Sequence, residues 1–228
     1  MSLLEVDDIH SYYDESHVLQ GVSLSVEADE TVALIGRNGV GKTTTLRSVL
    51  QLTPPRRGTV TYDGVDVTGR PTHEVARMGV GWVPEERRVF SHLTVDENLH
   101  IATPPGGSVE AAYDAFPDLR DHRGREAGDL SGGQQQMVAI ARGLVGDNDL
   151  LLVDEPSEGL APRIVDAVAD ALSAVAAEAT VLLVEQNFPL AMDLADRFYL
   201  LDHGTVVESG ATANVSRDDE VIRRYLSA

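Results

Sequence analysis

Gly36-Arg37-Asn38-Gly39-Val40-Gly41-Lys42-Thr43-Thr44 fits the pattern G-x-x-x-x-G-K-[ST]. An apolar run, Thr31 to Ile35, leads into it, and a helical pattern from Thr43 to Leu52 leads away. That strand–loop–helix setting is what a phosphate cradle needs. Glycines let the backbone wrap an anion with its N–H groups turned inward, and the helix N-terminus adds its positive end. Asn38, Gly39, Val40, Gly41, Lys42, Thr43 and Thr44 are therefore candidate contacts to a nucleoside triphosphate. Lys42 would reach the β- and γ-phosphates, and the Thr43 hydroxyl would hold Mg²⁺. Lys42 is the sole lysine among 18 basic residues. Its landing here by chance is a roughly one in two hundred event.

The 228 residues suit one large domain or two small ones, and an apolar content of 43% supports a sizeable core. No apolar run is long enough to span a bilayer, and the N-terminus does not read as a secretory signal. The absence of cysteine rules out disulfides and thiolate metal sites and is compatible with a reducing interior. A soluble intracellular protein is expected, unless a partner anchors it. The formal charge of −19 is spread along the chain and argues against nucleic-acid binding. Self-repulsion of that size is tolerable where salt screens it, so a salt-rich (halophilic) cytoplasm is expected.

Strands are expected at Leu3 to Val6, Val22 to Val26 and Thr31 to Ile35. The second alternates apolar and polar, as a half-exposed antiparallel strand does; the third is a buried parallel one. Tyr12-Tyr13 is placed in the loop between the first two, and spacing alone reads it as packing or solvent-facing. Further strands are expected at Thr59 to Tyr62 and Val80 to Val83. Residues 94 to 145 read as a helical insertion broken by Pro104-Pro105-Gly106-Gly107, with Ser131 capping a helix to about Leu144. A helix from Pro162 to Ala177, a strand from Val181 to Val184 and a helix from Phe188 to Ala195 follow. Phe198 to Leu201 and Thr205 to Glu208 flank the turn Asp202-His203-Gly204, a hairpin signal, and Asp218 to Leu226 reads as a short helix. The seven histidines lack metal spacing, and Trp82 reads as core.

A second motif, Leu150-Leu151-Leu152-Val153-Asp154-Glu155-Pro156, reads as a central strand that delivers two acids to its C-terminal end. Asp154 is the candidate Mg²⁺ residue, and Glu155 the general base for an attacking water. A third, Leu130-Ser131-Gly132-Gly133-Gln134, opens a helix and forms a second anion site. One nucleotide does not need two phosphate sites, so this one closes over a nucleotide on a different subunit, or is an ordinary helix cap.

In this order the three motifs resemble the nucleotide-binding subunit of ATP-binding cassette (ABC) proteins, over essentially the whole chain. Val83-Pro84-Glu85, Arg87-Arg88-Val89-Phe90, Glu155-Pro156-Ser157-Glu158-Gly159-Leu160-Ala161-Pro162 and Val184-Glu185-Gln186-Asn187 resemble the F-type ATPase of branched-chain amino acid (Liv-type) importers and its urea and amide relatives. The resemblance implies an α/β fold: a P-loop NTPase (RecA-like) parallel-sheet core with an antiparallel β subdomain and a helical subdomain. Residues 1–228 would form one ABC ATPase domain, with about 1–84 and 145–228 as core and β subdomain and 85–144 as helical subdomain. It implies ATP and Mg²⁺, a second ABC ATPase subunit, transmembrane permease subunits, and a peripheral seat on the cytoplasmic face of the membrane.

It also implies roles. Tyr13 would stack on adenine; Ser131 and Gly133, flanked by Gly132 and Gln134, would contact the γ-phosphate of the opposite subunit. The loop from about Glu86 to His92 would meet the membrane subunit. Glu85 stands where most cassettes carry a Gln that touches Mg²⁺, Ala161 where an Asp is usual, and Gln186 where a switch His is usual. A carboxylate at Glu85 can bind Mg²⁺ but cannot donate a hydrogen bond; Gln186 can donate to phosphate but cannot carry charge. The resemblance thus implies slower turnover at this site, and either a homodimer or a heterodimer with a His-bearing partner. A lipid-export ATPase is the rival reading, opposed by Glu85 and Gln186. A soluble cassette ATPase is another, opposed by the single cassette copy and the lack of a long coiled coil.

Overall fold

A computed structural model describes residues 2–86, 88–177 and 179–215. The chain opens with two long antiparallel strands, β1 (Ser2–Tyr13) and β2 (Ser16–Glu27). Val22, Leu24 and Val26 point inward while Ser23 faces solvent, as the alternation requires. Both strands are far longer than their apolar cores suggest. Tyr12 and Tyr13 are the last residues of β1 rather than a loop, with Tyr13 opposite Ser16. Only Asp14 and Glu15 form the turn, and Asp14 takes φ 50, a conformation that short polar residues tolerate.

β3 (Thr31–Ile35) is buried throughout and ends at the phosphate loop, from which α1 (Lys42–Val49) runs. That helix stops short of Leu52 because Gln51 turns left-handed (φ 59). β4 (Arg57–Tyr62) and the two-residue β5 (Val65–Asp66) complete a four-stranded sheet in the order β2-β1-β4-β5. A helix not expected from the sequence, α2 (Thr72–Arg77), follows Pro71, and β6 (Val80–Val83) follows it.

The helical insertion has the expected break at residues 104–107 and the expected Ser131-capped helix, with further short helices between them. It comprises α3 (Val95–Ala102), α4 (Glu110–Ala115), α5 (Pro117–Arg120), a 3₁₀ turn (Ala127–Asp129) and α6 (Gly132–Leu144). Pro104-Pro105-Gly106-Gly107 separates α3 from α4, and Pro117 separates α4 from α5, since a proline ring and the residue before it both resist helix continuation. Thr94 caps α3 and Ser131 caps α6, each in a reciprocal capping box, with Glu97 and Gln134 respectively.

β7 (Leu150–Asp154), α7 (Pro162–Ala176), β8 (Thr180–Glu185), α8 (Phe188–Leu194) and the hairpin β9 (Arg197–Asp202)–β10 (Thr205–Ala211) finish the described chain. The expected helix from Asp218 to Leu226 lies outside the described residues. The second sheet runs β10-β9-β3-β8-β7-β6, parallel except for β10. Its central strands β3, β7 and β8 are buried throughout because both faces are covered. Val32, Leu34, Leu150, Leu152, Leu182 and Val184 pack toward the four-stranded sheet and α1. Leu151, Val153, Val181 and Leu183 pack on the helical side, while Ala33 and Ile35 meet α8. Trp82 packs against the core, as expected. The result is a mixed, mainly parallel core with an antiparallel β subdomain and helices, the architecture that the resemblance implies.

Candidate functional site

The strand order β3-β8-β7 brings three loops to one edge of the sheet. Ile35 is level with Glu185, and Val184 is level with Asp154. The phosphate loop, the acids of β7 and the segment around Gln186 therefore leave adjacent strands side by side, at the carboxyl end where parallel sheets bind ligands.

Two glycines are dictated by geometry. A side chain at Gly36 would run into the Leu201 carbonyl of β9. Gly41, the residue before α1, sits at φ 115, where a side chain would also meet Leu19 at 2.7 Å. The loop so shaped places Lys42 with only 3% exposure. Its ammonium donates to the carbonyls of Gly36 (2.8 Å) and Arg37 (2.9 Å) and pairs with Glu155 Oε1 at 3.0 Å. Three donors thus have three partners. Glu155 itself takes φ 45, which costs about 1–2 kcal/mol for a residue with a Cβ. The bond from its N–H to the Val184 carbonyl (2.9 Å) holds it there.

Asp154 is 1% exposed. Its Oδ1 accepts from the Thr43 hydroxyl at 3.1 Å, while Oδ2 is buried without a hydrogen-bond partner among the described residues. Burial pushes its pKa up to about 6, against the smaller lowering effect of Thr43. An orphaned carboxylate oxygen beside a threonine hydroxyl fits a divalent cation, which would stabilise the charge that burial disfavours. Among the described residues no group of three or more His, Cys, Asp or Glu could hold a metal.

Glu85 follows β6 and Pro84 on the rim. Partial desolvation, a hydrogen bond to Glu158 and the charges of Glu158, Glu155 and Asp154 raise its pKa to about 7. This departs from the expectation that Glu85 is a carboxylate unable to donate. With its pKa about 7, part of it is in the acid form near neutral pH, and that form donates. Arg88 pairs with Glu86 at 2.8 Å, both exposed, and lies over Trp82 at 5.3 Å; Arg87 lies outside the described residues.

Gln186 is exposed at the end of β8. Beside it Glu185 is 1% exposed and accepts from the N–H groups of Ser157 (3.0 Å) and Asn187 (2.9 Å). Its pKa is raised, chiefly by burial, with those hydrogen bonds opposing. Sequence reasoning assigned Glu185 no role. The available signal was an acid closing an otherwise apolar strand.

Tyr13 is 43% exposed at the tip of the β1–β2 hairpin. Tyr12 is occupied: it stacks on His17 at 4.3 Å and under Arg56 at 4.5 Å. Ser11 hydrogen bonds to Ser48 of α1 (2.8 Å), so this end of the hairpin lies over the phosphate-loop helix. Ser131 and Gln134 hydrogen bond to each other at the α6 N-terminus, with Ser131 exposed and Gly132 and Gly133 half-buried. Asn38, Gly39 and Arg37 are exposed on the loop, whereas Val40 and Thr44 are buried.

Parallel strands that bring a phosphate loop and paired acids to one edge define the class: a P-loop nucleoside triphosphatase. The family model described as ABC transporter matches residues 19–158. The high-affinity branched-chain amino acid transport ATP-binding protein BraG of Pseudomonas aeruginosa is 38% identical over 235 residues, covering 98% of this chain and 99% of BraG. The lipopolysaccharide export system ATP-binding protein LptB of Haemophilus influenzae is 32% identical over 238 residues, covering 99% and 98%. The solved ADP conformation of MJ1267, an ATP-binding cassette of an ABC transporter, superposes with a TM-score of 0.83 at 27% identity, covering 98% of each chain. The chain belongs to the ABC transporter family, as an ATP-binding subunit that hydrolyses ATP to drive transport.

Proposed function

We propose that this subunit powers an importer of branched-chain amino acids or related amides. The observation that carries the catalytic part is the meeting of two motifs more than 100 residues apart: Lys42 with Glu155 at 3.0 Å and Thr43 with Asp154 at 3.1 Å. The solute class rests on likeness to BraG and on the Glu85 and Gln186 motifs.

In this reading residues 38 to 44 cradle the phosphates of ATP and Tyr13 stacks on adenine. Thr43 and Asp154, with Glu85 at the rim, hold Mg²⁺, which when bound offsets phosphate charge. The Glu155 carboxylate takes the proton of the attacking water. Lys42 draws in the charge that develops on the γ-phosphate, and Gln186 donates a hydrogen bond to it. Ser131, Gly132, Gly133 and Gln134 complete the site of a second ATPase subunit, which returns the favour.

No described helix is long and apolar enough to cross a membrane. Attachment to the cytoplasmic face is therefore assigned to permease subunits, met by the loop from 86 to 92. Residues 85–144 act as the helical subdomain. The charge of −19 suits a salt-rich cytoplasm.

The test has two arms. Glu155→Gln is expected to retain ATP and to stop turnover; full hydrolysis removes Glu155 from its role. Cells lacking this chain are expected to lose ATP-dependent uptake of branched-chain amino acids. Unchanged uptake with impaired lipopolysaccharide export would favour the LptB-like reading instead.

A further inference from the structure

We infer that Glu185 is a positioning residue that locks the segment carrying Glu155 and the segment carrying Gln186 into one geometry. This rests on the catalytic reading above and adds a residue to it. The carboxylate of Glu185 accepts one backbone N–H from each segment: Ser157, two residues after Glu155, at 3.0 Å, and Asn187, one residue after Gln186, at 2.9 Å. Each oxygen serves a different loop, Oε1 the first and Oε2 the second. The carboxylate is thus a two-ended tie across the carboxyl ends of β7 and β8.

Three observations show that the tie is a built feature. The side chain is buried at 1% exposure, where an unsolvated carboxylate is costly unless specific donors replace water. It is level with Ile35, the last residue before the phosphate loop, so it stands at the centre of the catalytic edge. The segment it holds needs holding: Glu155 has a left-handed backbone (φ 45), kept by its N–H bond to Val184, the residue just before Glu185. The Glu155–Ser157 segment is thus pinned to β8 twice, through a main-chain carbonyl and through a side chain. Asn187 in turn caps α8 through its side chain, which accepts from Leu190 N–H at 3.4 Å. Glu185 therefore fixes the point where Gln186 leaves the strand.

A group that only supported the fold would affect ATP binding and turnover together. A group that sets the mutual placement of a base and a phosphate donor affects turnover. Glu185→Gln keeps the shape but turns an NH₂ toward one of the two backbone N–H groups, breaking one end of the tie. In the Mg²⁺-dependent ATPase assay of the full chain, kcat is expected to fall about ten- to a hundredfold while the Kd for ATP changes less than about threefold. Gln186→Ala is then combined with it. Because Glu185 acts through the Gln186 segment, the double variant is expected to lose much less than the product of the two single losses.

Multiplicative losses, or a Kd that rises in step with the fall in kcat, would overturn the inference. Should Glu185→Gln fail to fold, Ser157→Pro removes the other partner of the same bond by deleting its N–H, together with the hydroxyl that also bonds Glu185, and the same split is expected. Unchanged kcat in that variant also overturns it. Failure of the underlying reading is seen separately, as undiminished hydrolysis in Glu155→Gln.

Discussion

Asp154→Asn should make the nucleotide-free protein more stable while abolishing its Mg²⁺-dependent hydrolysis. The carboxylate is buried and its pKa is raised from 3.8 to about 6. A shift of that size is worth about 3 kcal/mol. The proton is held more tightly in the folded chain. Its stabilising effect is therefore complete below 3.8 and is lost as pH rises to about 6. Asparagine keeps an acceptor for the Thr43 hydroxyl and carries no charge to desolvate. It also places an NH₂ where Oδ2 already lacks a partner, at a cost of about 1–2 kcal/mol. The net expectation is a gain of about 1–2 kcal/mol near pH 7.5, read as a higher urea midpoint at unchanged m value. The gain over the parent should shrink by about 1 kcal/mol on lowering the pH to about 5. A variant less stable than the parent at neutral pH, or a gap that does not change with pH, would refute the account of Asp154 as a strained, cation-ready carboxylate.

Lys42→Ala should lose ATP binding by at least about a hundredfold in a fluorescent-nucleotide titration, and should lose about 3 kcal/mol of stability because Glu155 is left buried and unpaired. Adding Glu155→Gln to it should restore part of that stability and none of the binding. Thermal melts in increasing KCl should show a rising midpoint if the charge of −19 is tuned to salt. A midpoint indifferent to KCl would sink that idea.

What could be read from the chain, and what could not, divides along sequence distance. The phosphate loop, the acids after β7 and the Ser131 cap are local patterns, and each sits where local chemistry puts it. The strands β3, β7 and β8 were legible because continuous apolar runs admit few alternatives. Tyr12 and Tyr13 were misplaced because the alternation in β1 is interrupted by irregular register, between Val6 and Ile9 and again between Ser11 and Tyr12. The breaks in the helical insertion were partly written, in Pro104-Pro105 and in Pro117. The pairing of Glu85 with Glu158 and the tie made by Glu185 to Ser157 were not legible. They depend on which strands lie side by side, and no local pattern states strand order.

That strand order has a consequence for how the protein is made. β3 is flanked by β8 and β9, and Gly36 rests on the carbonyl of Leu201. The partners of the nucleotide-binding strand therefore emerge from the ribosome roughly 150 residues after it, a delay on the order of ten seconds. Through that interval a strand that ends up fully buried waits without its sheet neighbours, and a nascent chain cut short before β8 holds the motif but not the site. The phosphate loop is among the last parts of the molecule able to work, and its long wait is when the chain is most open to aggregation.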